Sequence, residues 1–192
     1  MRKHQQGQTL IELMAAVAIA GLITTVAAGL IGFTTRRSEL RAATSEIRAL
    51  LVHVRAVAIA HDRNVAVRFK QTSSGTWTWA LYEDGDGDGV RADDISRNVD
   101  LLIQPARELF HRRATIGIPA APIPDPLASG TLGLRLPIRF SSMMCSFSRQ
   151  GEATNGSLVI TDGTDAVVIR VHGTSGRVSV IRWDGHLWQT GA

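Results

Sequence analysis

Three carboxylates stand at alternate positions in the stretch YEDGDGDGVRADD, residues 82–94. Asp84, Asp86 and Asp88 are followed by a glycine, which reproduces the D-x-D-x-D-G opening of a calcium-binding EF-hand loop. The twelfth position of that loop is Ile95 here, where the full motif needs a bidentate glutamate. Two interpretations stay open: a weak Ca²⁺ site formed by the three aspartates, or a solvated acidic turn between two strands. No other cofactor is expected.

The residues that could act in catalysis do not form a recognisable set. The six His residues are scattered, and no Ser lies in a G-x-S-x-G elbow. Cys145 and His172 could serve as nucleophile and base, but the sequence indicates no third group to activate them. The single Cys also excludes an intrachain disulfide and a cysteine-based zinc site. We therefore do not expect an enzyme.

A further carboxylate, Glu12, lies inside an apolar run. Residues 10–33 carry no other charge, and about 20 apolar residues are enough to cross a bilayer as a helix. A secretory signal peptide is the alternative, because Arg2 and Lys3 provide a basic start. The run is longer than the apolar part of a typical signal peptide and continues into an amphipathic segment. We therefore expect it to be retained as a membrane helix.

The elements that must position these residues begin with one long helix. No proline interrupts residues 8–61, a span of roughly 80 Å at 1.5 Å per residue. In its second half apolar residues recur at helical spacing, and most charged residues lie off that stripe. The stripe consists of Leu40, Ile47, Leu50, Leu51, Val54 and Ala58. We expect lipid around the first half of the helix and a water-soluble domain against the second half.

Strands are predicted after this helix. NVAVRF (64–69) and LRLPIRF (134–140) alternate apolar and polar residues, and TWTWALYE (76–83) places its two Trp residues on one face. Three β-branched runs near the C-terminus, separated by DGTD and HGTSG, predict a meander of two hairpins. The proline-rich stretch 118–126 predicts a loop. The fold class is α+β, with a long N-terminal helix packed on a mostly antiparallel β-sheet domain.

The N-terminal stretch GQTLIELMAAVAIAGLI resembles the class III signal of type IV pilins and type II secretion pseudopilins. That signal is a short basic leader ending in Gly, followed by a hydrophobic segment with Glu at its fifth position. FSRQGEATNGSLVI (147–160) and VHGTSGRV (171–178) resemble blocks of the GspH/FimT branch of minor pseudopilins. The resemblance implies a pilin-like fold, a prepilin leader at residues 1–7, peptidase cleavage between Gly7 and Gln8, and N-methylation of Gln8. The usual first mature residue of the family is Phe, so Gln8 is a departure.

The resemblance also implies the organisation and location of the chain. Residues 8–34 are the transmembrane half of the long helix, 35–62 its amphipathic half, and 63–192 a periplasmic β-rich domain. The protein is then a single-pass protein of the bacterial inner membrane that later enters a pseudopilus or pilus. Its implied partners are other pilin or pseudopilin subunits, the prepilin peptidase, the inner-membrane assembly platform and the lipid bilayer.

Glu12 has a role in assembly if the resemblance holds. Cleavage creates an α-amine at Gln8, which is cationic near neutral pH because its ordinary pKa is about 8. In the family, this amine on an incoming subunit is thought to pair with the Glu of a neighbour in the filament. Two alternatives stay open: Glu12 pairs with the amine of its own subunit one turn away, or it lies in the headgroup region.

These implications favour a minor pseudopilin of a type II secretion pseudopilus. The alternative is a FimT-like minor pilin of a type IV pilus, with a role in pilus assembly or DNA uptake; a secreted enzyme is disfavoured. DNA contacts would use Arg170, Arg177 and Arg182, although arginines that alternate along strands usually form a solvated face. FimT-like members tend to carry a Gly-Arg-x-Arg turn, and Ser179 stands here in place of the second Arg, which lowers the expected number of phosphate contacts.

Overall fold

The computed structural model describes residues 10–109, 111 and 113–191, except the side chains of residues 25–34. The chain divides into two compact units, Met1–Ser38 and Glu39–Ala192, and helix α1 (Leu10–His61) belongs in part to each. The elements that follow α1 are, in chain order, β1 (Val65–Gln71), β2 (Trp77–Glu83), α2 (Ala92–Ser96), β3 (Leu101–Glu108), β4 (Thr115–Ile116), two 3₁₀ turns (Leu132–Leu134 and Ser141–Met143), β5 (Met144–Phe147), β6 (Gly156–Thr161), β7 (Ala166–Val171), β8 (Val178–Trp183) and β9 (Trp188–Gly191).

The Met1–Ser38 unit contains the apolar part of α1. Among the residues that the structure describes, no helix offers a stretch that is both long and apolar enough to cross a membrane. The membrane segment predicted from the sequence, 8–34, includes residues 8–9 and the side chains of 25–34, which lie outside the described part.

α1 ends in the Glu39–Ala192 unit where the backbone turns into the left-handed region at Asp62, with φ 52°. The Asp62 N–H donates to the Ile59 carbonyl, and the Arg63 N–H donates to the Ala58 carbonyl. These two bonds are those of a Schellman motif, which satisfies the last carbonyls of a helix. The chain then enters β1.

Nine strands form two antiparallel sheets in the described part of this unit. The first sheet has the order β3-β2-β1-β5, and the second has the order β4-β6-β7-β8-β9. The consecutive pairs β6-β7 and β7-β8 confirm the predicted meander, and β8-β9 extends it by one strand. β1 and β2 confirm two further strand predictions. The pairing of β1 with β5 joins segments that lie far apart in the sequence.

The apolar stripe of α1 is buried, as predicted. Leu51 and Val54 are fully buried and share one core cluster with Trp77 and Trp79 of β2 and Ile169 of β7. A second cluster lies on the other face of the second sheet, where β6 and β7 residues pack against loop residues; its buried members are Ile123, Leu132, Val159, Ala166 and Val168. The predicted α+β class, with the helix packed on antiparallel β structure, is confirmed, and the β structure consists of two sheets.

The strand predicted at 134–140 is wrong. Leu132–Leu134 is a 3₁₀ turn, and Ile138 makes only an isolated bridge to Leu158. Pro137 has no N–H to donate to a ladder, so a continuous strand is disfavoured at this point. Apolar and polar residues alternate here, but among the described residues the backbone makes only the two hydrogen bonds of this bridge to β6, from the Arg139 N–H to the Ser157 carbonyl and from the Val159 N–H to the Pro137 carbonyl.

Candidate functional site

The predicted processing site lies outside the described residues, since Gly7 and Gln8 precede the start of α1 at Leu10. Glu12 lies in the first turn of α1, and its side chain is exposed in the Met1–Ser38 unit. A carboxylate in the first turn of a helix is stabilised by the positive end of the helix dipole. The start of the helix is therefore compatible with a charge at this position.

The acidic loop, residues 84–89, follows β2 and holds three aspartates close together. One carboxylate oxygen from each of Asp84, Asp86 and Asp88 lies within 4.8 Å of the other two, with Asp84 buried and the others exposed. The structure thus brings together the residues predicted as metal ligands, and carboxylate oxygens are ligands that Ca²⁺ takes. Ca²⁺ binding itself stays a prediction.

The Asp84 carboxylate accepts three hydrogen bonds from the protein. Its Oδ1 accepts from the Gly87 N–H at 2.8 Å, and its Oδ2 accepts from the Gly89 N–H at 2.9 Å and from Asn64 Nδ2 at 2.6 Å. Burial alone would raise the pKa of Asp84, but the hydrogen bonds from Asn64, Gly87 and Gly89 bring the pKa below its ordinary value. Asp84 is therefore ionised near neutral pH and holds the loop closed through protein hydrogen bonds.

Asp88 is paired with Arg91 on the exposed side of the loop. Desolvation raises the pKa of Asp88, Arg91 lowers it, and repulsion from Asp86 raises it again, so that the pKa lies above its ordinary value. A cation near Asp86 and Asp88 would remove this repulsion.

Asp100, which the sequence did not single out, also shapes the acidic loop. It is buried, its Oδ1 accepts from the Gly85 N–H at 3.2 Å, and its Oδ2 accepts from the Arg91 N–H at 2.8 Å. The register of β2 and β3 pairs Glu83 with Leu101, which places Asp100 beside the start of the loop. No spacing in the sequence signals this contact, because it depends on the strand pairing.

The three arginines predicted as DNA contacts do not lie on one face. Arg170 is opposite Ser179 in the β7-β8 pair, whereas Arg182 is opposite Val167. Since successive residues of a strand point to opposite faces, Arg170 and Arg182 lie on opposite faces of the second sheet. Arg177 is exposed just before β8. DNA contact by these residues stays a prediction.

Arg55 of α1 lies beside two turns, one with Gly151 and one with Gly176. These turns belong to the segments 147–160 and 171–178, which resemble the GspH/FimT branch. Its Nε donates to the Gly151 carbonyl at 3.0 Å. Gly176 has φ 58°, and a Cβ at this position would lie 2.0 Å from the Gly151 oxygen and 3.0 Å from Arg55 Nε. Arg55 was not a candidate from the sequence; the available signal was its position four residues after Leu51, at the border of the buried stripe.

Cys145 and His172, considered above as a nucleophile and its base, have different neighbours. Cys145 is fully buried on β5, and burial raises the pKa of its thiol, so the thiolate does not form near neutral pH. His172 has its Nε2 3.0 Å from Ser179 Oγ. Neither side chain has the environment of an activated nucleophile or its base.

Residues 2–28 match the family model of the prokaryotic N-terminal methylation motif. This match confirms the resemblance to a type IV pilin-like prepilin signal, and it indicates a type IV pilin-like protein that carries a signal for prepilin cleavage and N-terminal methylation. Cleavage between Gly7 and Gln8 and methylation of Gln8 stay predictions. No curated protein and no solved structure matches the chain. Membership of the GspH/FimT branch stays a prediction.

Proposed function

We propose that this type IV pilin-like protein is a minor pseudopilin, a subunit that assembles into a periplasmic pseudopilus for type II protein secretion. The observation that carries the proposal is the methylation motif at residues 2–28, in which Glu12 is the fifth residue after the expected cleavage site. The resemblance of residues 147–160 and 171–178 to the GspH/FimT branch supports a minor subunit.

The exposed side chains at the start of α1 support a membrane anchor that later packs against other helices. Eight large apolar side chains among residues 10–24 are more than half exposed: Leu10, Ile11, Leu13, Met14, Val17, Ile19, Leu22 and Ile23. They occur on all sides of the helix, which is typical of a helix surrounded by lipid or by other helices. Leaving these side chains in water would cost on the order of 10 kcal/mol. In this proposal lipid covers them before assembly and neighbouring subunits cover them afterwards.

Glu12 is the only charged residue of this apolar surface. An ionised carboxylate inside a bilayer costs a few kcal/mol even on lenient insertion scales, so it favours any state that supplies a cation. The α-amine of Gln8 on a neighbouring mature subunit is such a cation near neutral pH. Only a subunit with the correct axial stagger would neutralise Glu12, which makes this residue a selector of assembly.

Co-expression with a prepilin peptidase and the filament components tests the proposal. The wild-type chain should yield a product that begins at methylated Gln8, as read by intact mass. Glu12→Gln should be processed and inserted like the wild type but enter filaments poorly. Glu152→Gln removes the same charge from an exposed glutamate outside the apolar part of α1 and should assemble normally. A mature N-terminus beyond residue 25 would refute the prepilin assignment. Wild-type incorporation of Glu12→Gln would refute the pairing.

The alternative is a FimT-like minor pilin of a type IV pilus, supported by the same motif and by the Gly176-Arg177 turn. Deletion of the gene in its host separates the two systems. Loss of protein secretion with pili retained supports the pseudopilin, and loss of pili or of DNA uptake with secretion retained supports the pilin.

A further inference from the structure

We propose that a pocket lined by Arg135, Arg139 and Arg170 binds a dianionic phosphate group. This arginine pocket is a cavity of about 210 Å³ between the loop that precedes β5 and the paired strands β6 and β7, and its lining also includes Asn155 and Ser157. The volume is several times the roughly 30 Å³ that one water occupies in the liquid, so a phosphate group fits with some of its water. The proposal is independent of the filament function.

The pocket is fixed by a buried carboxylate and by strand pairing. The Asp125 side chain is fully buried, and its Oδ2 accepts from Arg139 Nη1 at 2.7 Å and lies 3.8 Å from Arg135 Nε. The register of β6 and β7 places Ser157 directly opposite Arg170, and the Arg139 N–H donates to the Ser157 carbonyl at 2.8 Å. These contacts position three guanidinium groups around one cavity.

Two of these arginines have N–H groups for which the described residues provide no hydrogen-bond acceptor. Arg139 Nη2 is buried, and it has no hydrogen-bond partner among the described residues. Within that same part of the chain, the guanidinium of Arg170 makes no hydrogen bond or ion pair, although the residue is half-buried. Buried donors without a partner are rare in folded proteins. The donors of Arg170, which lines the pocket and is only half-buried, are available to an anion bound there.

The charges select the kind of anion. Three arginines line the pocket, and the Asp125 carboxylate, which contacts Arg135 and Arg139, balances one of their three positive charges, so two remain to be balanced. A dianionic phosphate, either free or as a phosphomonoester, supplies two negative charges and three acceptor oxygens for the planar forks of arginine. A carboxylate or a phosphodiester supplies only one charge, and a phosphodiester must also fit two substituents.

Calorimetry on the full-length protein in detergent, at constant ionic strength and pH 8, tests the proposal with inorganic phosphate, glycerol 3-phosphate and dimethyl phosphate. We expect the first two to bind with a dissociation constant of about 1 mM and dimethyl phosphate to bind at least about tenfold more weakly. A tighter complex with glycerol 3-phosphate identifies a phosphomonoester as the ligand, and equal affinities identify free phosphate. Absence of binding at about 20 mM phosphate, or equal binding of dimethyl phosphate, would overturn the proposal.

Variants locate the site. Arg170→Gln should weaken phosphate binding about tenfold or more, because it removes a charged donor. Arg149→Gln removes the same charge from an exposed arginine outside the pocket and should bind like the wild type. Equal effects of the two substitutions would mean non-specific attraction and would refute the site.

The wild-type protein gives a second test that does not depend on a variant folding. The second pKa of a phosphomonoester is about 6, so below this pH it is protonated to a monoanion, whereas sulfate remains a dianion. Glycerol 3-phosphate should therefore bind more weakly at pH 5 than at pH 8, and sulfate should lose no affinity over this range. An unchanged affinity for glycerol 3-phosphate would refute recognition of a dianion.

Discussion

Replacement of Gly176 by Ala tests whether the hydrogen bond between Arg55 of α1 and the Gly151 carbonyl stabilises the packing of the Gly176 turn beside α1. Gly176 combines a left-handed backbone, φ 58°, with a space that a side chain cannot enter, because a Cβ would lie 2.0 Å from the Gly151 oxygen. Backbone atoms cannot move aside as a flexible side chain can. The Gly151 carbonyl must therefore shift, and it is the acceptor of the Arg55 hydrogen bond.

The size of the effect follows from three contributions. An alanine in the left-handed region costs about 1–2 kcal/mol, and loss of a hydrogen bond from a charged donor costs about 1.5–3 kcal/mol. Ala also lowers the entropy of the unfolded chain, which offsets about 0.4–1 kcal/mol. We expect Gly176→Ala to lower the free energy of unfolding of the Glu39–Ala192 unit by about 2–4 kcal/mol.

Urea denaturation of the full-length protein in detergent, followed by tryptophan fluorescence, measures this change, since all four Trp residues lie after residue 39. Gly163→Ala is the matched control: Gly163 has φ 95°, and none of the described atoms outside its chain neighbours lies within 4 Å of the position of a Cβ. Gly163→Ala places alanine at a positive φ but causes no clash, so it should lower the free energy of unfolding by only about 1 kcal/mol.

A double-mutant cycle isolates the contact. In an Arg55→Met background the hydrogen bond is already absent, so Gly176→Ala should cost about 1.5–3 kcal/mol less than in the wild type. Additive effects of Arg55→Met and Gly176→Ala, or an equal loss for Gly176→Ala and Gly163→Ala, would refute the reasoning.

Three further predictions concern the Glu39–Ala192 unit. Folding lowers the pKa of Asp84. The ionised Asp84 therefore stabilises the fold above its unfolded pKa of about 3.9, and this stabilisation is lost as the pH falls through the folded pKa. The difference in unfolding free energy between wild type and Asp84→Asn should shrink from pH 7 to pH 3, and a constant difference would refute the role of the charge. The Cys145 thiol, whose pKa burial raises, should react with an aromatic disulfide reagent about 100-fold more slowly in the native protein than in urea, and equal rates would contradict its burial. Leu51→Ala should destabilise by about 2–5 kcal/mol and the exposed Val52→Ala by less than about 0.5 kcal/mol, as urea denaturation will show; similar losses would contradict the packing of α1.

Periodicity predicted the elements that bury one face. The stripe on α1 and the alternation in β1 and β2 are local signals of burial, and each corresponds to the observed core. β3 gave no such signal, because nearly all its residues are exposed and it contains Pro105. It lies at the edge of its sheet, where a strand without alternation and with a proline is tolerated.

Contacts that depend on pairing between distant strands could not be predicted. The aspartates of the acidic loop stand together in the sequence, so their proximity was expected, but Asp100 joins them only through the β2-β3 register. The place of β5 in the first sheet likewise depends on its pairing with β1, which is distant in the sequence. Single-sequence patterns report which face of an element is buried, and they do not report which element lies beside it.

The register of β7 and β8 decides which arginines can act together. Val167, Ile169 and Val171 must face the core shared with α1, and this requirement directs Arg170 to the opposite face of the sheet. A shift of one residue in β8 would bring Arg182 to the same face as Arg170, but it would also move the buried Val180 out of the core shared with α1. The hydrophobic core therefore separates Arg170 from Arg182 and joins it with Arg135 and Arg139, which the loop before β5 carries to the same face. Because anion affinity depends on the cations that share one surface, Arg170 contributes to the arginine pocket rather than to a set with Arg182.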